Sequence, residues 1–300
     1  MWVNQRKRVL IGIFAVSGVF LLSGSVNAQA GKKLAVFVSI APQKYFVHQI
    51  GQERVDVQVM VQPGASPATY EPKPRQMAAL SKTPIYFAIG VPFEKNWLKK
   101  FAAANPNMRV VHKDHGIQKI PMSAHRHEAG QGPEKDHYGE PDPHIWLTPA
   151  LVMIQARTIR DALQEIDPAH RSVYETNYKA FTSTLAALDA ELRNMFADKQ
   201  GLQFMVFHPS WGYFADTYGL KQVAVEIEGK NPKPAQLKEL IEHAKEKGIK
   251  IIFVQPQFSS KSAKLVAREI GGQVAVADPL AQDWSANLRA VVREFKGALQ

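Results

Sequence analysis

The chain has 300 residues, 45% of them hydrophobic and 21% charged, the make-up of a globular protein long enough for about two domains of ~100–200 residues each. It contains no cysteine, which excludes a disulfide framework, a thiolate metal site and a cysteine nucleophile, so any metal must be held by His, Asp or Glu. The formal charge of +10 comes from Lys and Arg scattered among acidic residues, without the aromatic-interleaved basic motif of a nucleic-acid module.

In chain order, the first expected element is a targeting segment. Arg6, Lys7 and Arg8 precede the uncharged apolar run Val9 to Leu22, and Ala28-Gln29-Ala30 reads as a cleavage site. The run is shorter than the ~20 residues of a membrane span, so residues 1–30 read as a cleaved signal peptide. No cysteine follows it to carry a lipid. The mature protein is therefore expected to be exported and soluble.

Residues 33–40, 55–62 and 84–90 read as short apolar strands, with helical stretches at 41–50, 73–81 and 93–104 between them. A second alternation starts at 203: strand 203–207, helix near 210–218 and strand near 223–226. It continues with helix 234–247, strand 250–255, helix 259–270 and strand 273–277. Strand alternating with helix predicts parallel sheets with helices on both faces, in two similar halves. Between the halves, Val173 or Tyr174, then Tyr178, Phe181, Leu185, Leu188, Leu192 and Met195 recur at steps of three and four, one apolar helical stripe over about 168–199. Asp167-Pro168 reads as its start and Gly201 as its stop. At 1.5 Å per residue some thirty residues span ~45 Å, enough to run the length of both halves. The expected division is 1–30 leader, 31–166 first lobe, 167–200 linking helix and 201–300 second lobe.

One segment fits neither lobe. Residues 112–140 hold His112, His115, His125, His127 and His137 among Gly, Pro, Lys and Glu, without periodicity, and read as a surface loop. Its histidines suit either metal scavenging or loose binding without consequence.

Three other residues carry the chemistry. His144 lies in Asp142-Pro143-His144-Ile145-Trp146 just before a helix. His208 directly follows the strand ending in Phe207, and Asp278 follows the strand ending in Ala277. In open α/β sheets ligands bind beyond the carboxyl ends of strands. Two imidazoles and a carboxylate suit Zn²⁺, or Mn²⁺ if more oxygens join. Taken singly, each histidine also reads as a hydrogen-bonded cap, and Asp278 before Pro279 as a turn former.

Together the motifs resemble a known family. Ser39-Ile-Ala-Pro-Gln-Lys-Tyr45, Pro63-Gly-Ala-Ser-Pro-Ala-Thr-Tyr-Glu-Pro72, Asp142-Pro-His-Ile-Trp-Leu-Thr-Pro149, Phe207-His-Pro-Ser-Trp-Gly-Tyr-Phe214, Gln255-Pro-Gln-Phe258 and Asp278-Pro-Leu280 occur in the order found in the ZnuA/TroA-like zinc/manganese solute-binding proteins of ABC transporters. The resemblance covers essentially the whole mature chain. It implies two doubly wound α/β lobes joined by one long rigid helix, with Zn²⁺ (alternatively Mn²⁺) as transported ligand in the cleft between them. It further implies a periplasmic monomer that hands its ion to an inner-membrane permease served by a cytoplasmic ATPase.

By the same resemblance His144, His208 and Asp278 match three of the family's ligands, and the position of the remaining histidine is Ala68. Three consequences stand open: a three-ligand site completed by water or a bidentate carboxylate, rescue by a loop histidine such as His125 or His127, or loss of high-affinity binding. Tyr70 and Glu71, beside the missing ligand, read first as packing and helix-entry residues. The competing classes are a secreted zinc hydrolase, for which Glu226 and Glu228 are the nearest candidate bases, and an adhesin.

Overall fold

The computed structural model describes residues 1–2, 33–122, 140–226 and 230–299. The expected leader from residue 3 onward, His125, His127, His137 and Glu228 lie outside the described residues. The fold that follows is that of the unit from Lys33 onward.

The first lobe is built on strands β1 (Leu34–Val38), β2 (Val55–Val59), β3 (Ile85–Ala88) and β4 (Arg109–His112). All pair in parallel, in the order β2-β1-β3-β4, with Val36 opposite both Val57 and Ile85. All four residues of β3 are buried, as a strand covered on both faces requires. Helices α1 (Ala41–Gly51), α2 (Pro74–Leu80) and α3 (Pro92–Ala104) supply the cover.

The second lobe repeats the plan. Strands β5 (Gln203–Val206), β6 (Lys221–Ala224), β7 (Ile251–Val254) and β8 (Gln273–Val276) pair in parallel in the order β6-β5-β7-β8. Helices α6 (Gly212–Thr217), α7 (Pro234–Glu246), α8 (Lys261–Glu269) and α9 (Trp284–Ala298) surround it. Strand alternation divides its core: Met205, Phe207, Ile252 and Val254 pack with Leu240, Ala244 and Val266, whereas Phe204 and Phe253 turn to Phe295 of α9 at ring distances of 4.5 and 4.3 Å. In each sheet the chain leaves the first-formed strand to one side and returns on the other. The carboxyl ends of β1 and β3, and of β5 and β7, therefore open a crevice at a topological switch point.

Between the lobes run α4 (Pro149–Ile166) and the long α5 (Arg171–Phe196). The expected apolar stripe is buried: Tyr174, Phe181, Leu185, Leu188 and Leu192 line one face of α5, which ends on Phe196. Near its start α5 docks on the first lobe, where the Asn177 amide donates to Ile50 O at 2.9 Å and Phe181 meets Phe46. Its far end packs on the second, Phe196 against Phe214 and Tyr218. α9 reinforces the link: Phe295 sits in the second lobe, while Trp284 packs edge-on to Phe46 of the first at 5.2 Å.

Asp167 does not cap α5. Pro168–His170 forms a tight 3₁₀ turn, and the Asp167 carboxylate accepts from the His170 ring at 2.7 Å and the Tyr174 hydroxyl at 2.5 Å. The segment expected to be loop from 112 begins inside the sheet, since His112 closes β4. Met122 N donates to Glu140 O, and Pro121 bridges Pro141, so the described chain on either side of 123–139 is paired. Among the described residues no helix is long and apolar enough to cross a membrane.

Candidate metal site

His208 is the first residue past the hydrogen-bonded stretch of β5, and the neighbouring strand ends hold it. Its backbone N–H donates to Gln255 Oε1 at 3.0 Å and its carbonyl accepts from Gln255 Nε2 at 2.8 Å, so a side chain beyond β7 continues the ladder by one rung. Glu226, beyond β6, is buried and places Oε1 2.7 Å from the His208 Nδ1. Phe258 stacks on the imidazole at 4.7 Å.

His144 is set by its own local turn. Asp142 Oδ1 accepts both the His144 backbone N–H at 2.8 Å and the ring Nδ1–H at 2.7 Å. The following Pro143 cannot donate and fixes the backbone, and Tyr213 of the second lobe donates its hydroxyl to Asp142 O at 2.9 Å.

A carboxylate only accepts, so each Nδ1 carries a proton, and in the neutral ring Nε2 is the nitrogen that keeps its lone pair. The two rings meet edge to face with centroids 5.2 Å apart, one from each lobe, and line the same 110 Å³ cavity. Behind them, Asp142 Oδ2 and Glu226 Oε2 are buried without a hydrogen-bond partner. Two carboxylates held out of water behind two imidazoles suit a cation better than an anion. This pairing of carboxylate, histidine and open nitrogen is how protein zinc ligands are oriented. Burial is the main reason that the His208 pKa lies below the ordinary 6.5, with the Glu226 bond opposing it and His144 adding to it.

Asp278 is placed differently. It lines an adjoining 360 Å³ cavity, and its Oδ1 accepts from Leu280 N at 2.9 Å and Gln257 Nε2 at 3.1 Å. Gln257 and Leu280 line both cavities, so Asp278 stands next to the pair of histidines without lining their cavity. Ala68 lies on the wall of the histidine cavity and offers it only a methyl group. Tyr70 is buried against Phe93 and donates to Gln76 at 2.7 Å, a packing role, and Glu71 is exposed.

Sequence reasoning had named Glu226 only as a possible base. The structure puts it behind the His208 ring, where the parallel pairing of β5 with β6 brings together residues eighteen apart. Asp142 was in view within the Asp-Pro-His motif, and its role rests on a turn that only the backbone geometry reveals. A second cluster, His112, Asp114 and His115, lies at the end of β4.

Comparison with known proteins places the chain in a family. Residues 36–298 match the model of the family described as ZnuA, zinc-uptake complex component A, periplasmic. The high-affinity zinc uptake system protein ZnuA of Bacillus subtilis (strain 168) is 28% identical over 282 residues, covering 90% of this chain and 88% of that protein. A crystal structure of ZnuA is 44% identical with a TM-score of 0.83, covering 90% of this chain and 100% of that one. A ZnuA deletion mutant with zinc bound is 43% identical with a TM-score of 0.82, covering 90% and 99%.

Proposed function

We propose, from the premise that this chain belongs to the ZnuA family of periplasmic zinc-uptake components, that His144 and His208 grip Zn²⁺ between the lobes with Asp278 as third protein ligand. The chain is the zinc-binding component of an ABC zinc uptake system. Its work is capture and release, with no bond of a substrate broken. The observation that carries the ligand assignment is the pair of inter-lobe imidazoles, each tied through Nδ1 to a buried carboxylate.

Nitrogen donors favour Zn²⁺ over Mn²⁺, the alternative ion, at such a site. Both bonds to Asp278 fall on Oδ1, so a turn of the side chain brings a carboxylate oxygen towards the ion at the cost of two charge-assisted hydrogen bonds. With Ala68 in the wall, water completes the tetrahedron, and the site binds more weakly than a four-ligand one. Glu226 is engaged with His208, which argues against its serving as the base of a hydrolase. Export through the leader to the periplasm, and delivery of the ion to a membrane permease with its ATPase, complete the reading.

The test is calorimetric titration of chelator-stripped protein with Zn²⁺ and Mn²⁺. We expect the unmodified chain to bind Zn²⁺ in the cleft, His144→Ala and His208→Ala each to abolish that event, and Ala68→His to tighten it at least ~10-fold, about 1.4 kcal/mol. Cleft binding seen only after Ala68→His would mean a disabled receptor. Binding that survives both histidine substitutions would remove the assignment.

A further inference from the structure

We propose that His112, Asp114 and His115 form a second divalent-cation site, with zinc as its natural occupant, on the open end of the first sheet. One ligand atom from each of the three lies within 4.8 Å of the others. The elements that hold them differ in kind. His112 is the last residue of β4, fixed by pairing with Ala88 of β3. Asp114 and His115 sit in the turn that follows, which Gly116 closes with a φ of 80°. Burial alternates at the end of β4 and just past it: Val111 and Lys113 are buried, and His112 between them is partly exposed.

Asp114 is the observation that separates this cluster from an accidental one. Lys119 Nζ holds its Oδ2 at 2.7 Å, whereas Oδ1 is buried without any hydrogen-bond partner. That orphaned oxygen lies 4.0 Å from His112 Nδ1. A buried acceptor facing an imidazole nitrogen across this gap is costly as it stands, and an ion between the two satisfies both.

The rings of His112 and His115 are stacked, 5.0 Å apart and 10° from parallel. Parallel rings direct their lone pairs side by side, so coordination requires one to rotate. His115 is the exposed partner and turns at little cost. Ligand atoms must close to roughly 3.3 Å, the edge of a tetrahedron with ~2.05 Å bonds. Two nitrogens and one oxygen leave the fourth position to water, and the Lys119 charge nearby weakens the ion's hold. The site is therefore suited to rapid exchange.

The chain from this cluster leads straight to the cleft. Ile120 O accepts from Asp142 N at 2.9 Å, Asp142 orients His144, and Met122 lines the histidine cavity. An ion held at the β4 turn is thus bound on the segment that borders the principal site.

The experiment uses the mature full chain with His125, His127 and His137 all changed to Asn, so that these histidines add nothing to the count. After equilibrium dialysis against Zn²⁺, metal analysis is expected to find two equivalents. Adding His112→Asn with His115→Asn removes one; adding His144→Asn with His208→Asn instead removes the other. Asp114→Asn, which keeps the side chain's shape, is expected to weaken the second equivalent at least tenfold and guards against misfolding of the histidine variant. Zinc content unchanged by His112→Asn with His115→Asn overturns the proposal, as does loss of every equivalent with the cleft histidines. One equivalent that depends on His112 and His115 alone would uphold this site and defeat the cleft reading.

Discussion

Asp142 and Glu226 do at the residue scale what a metal site needs before any ion arrives: each fixes the tautomer and direction of one imidazole. Replacing Glu226 by Gln removes the negative charge behind His208 while keeping a hydrogen-bonding group there, and should weaken zinc binding by ~10–100-fold. An unchanged affinity by calorimetry would show that the ring is held by Phe258 and its backbone alone. His208 itself sets the pH dependence. Burial lowers the His208 pKa below 6.5, so the ring stays neutral through neutral pH and zinc affinity falls only as acidification passes below that point. Its folded pKa lies below the unfolded value, so the stability it contributes is present above about pH 6.5 and lost as pH falls through the folded value. The two histidines were legible as candidates, since each stands in a short motif of the resemblance. Glu226 was not, because its role depends on which strands lie side by side, and eighteen residues of intervening chain give no sign of that register.

Elements with a long apolar period were read directly, α5 foremost, because its stripe recurs over seven turns. β4 was missed because Arg109–His112 has only two apolar residues, Val110 and Val111, and runs into a polar turn that masks its end. α9 was unread although Trp284, Leu288, Val291, Val292 and Phe295 keep helical spacing behind the Asp283 cap. At this scale Gly90 joins β3 to the turn after β4. Its φ is 88°, and a Cβ there would lie 2.7 Å from Lys119 Nζ and 2.9 Å from Asp114 Oδ2. Gly90→Ala is expected to cost about 1–3 kcal/mol, read as a lower urea midpoint. The flexible Lys119 can withdraw, and the half-buried Asp114 cannot, so the strain falls on the turn that carries His115. A midpoint equal to that of the unmodified chain would show that the turn yields freely.

For the whole molecule the decisive contacts are those that cross between lobes beside the cleft. Trp146 Nε1 donates to Pro279 O, and Trp284 Nε1 donates to Trp146 O, both at 2.7 Å and both buried. Together with α5 and α9 these bonds tie the two lobes to each other. Trp284→Phe keeps a ring against Phe46 and leaves Trp146 O without its donor, a loss of about 1–3 kcal/mol. His144 lies two residues before Trp146, so zinc affinity should fall as well; reduced stability with full affinity would separate the bridge from the site. The position of Trp146 has a further consequence. Its indole lies 5.2 Å from the His144 imidazole and on the wall of the same cavity. Zn²⁺ has a filled d shell and no redox chemistry, so its arrival acts on the indole only through its charge. The emission wavelength of Trp146 is then expected to move when the cleft fills, and to stay fixed in His144→Ala with His208→Ala. The protein thereby carries its own optical gauge of loading, with no dye or label attached.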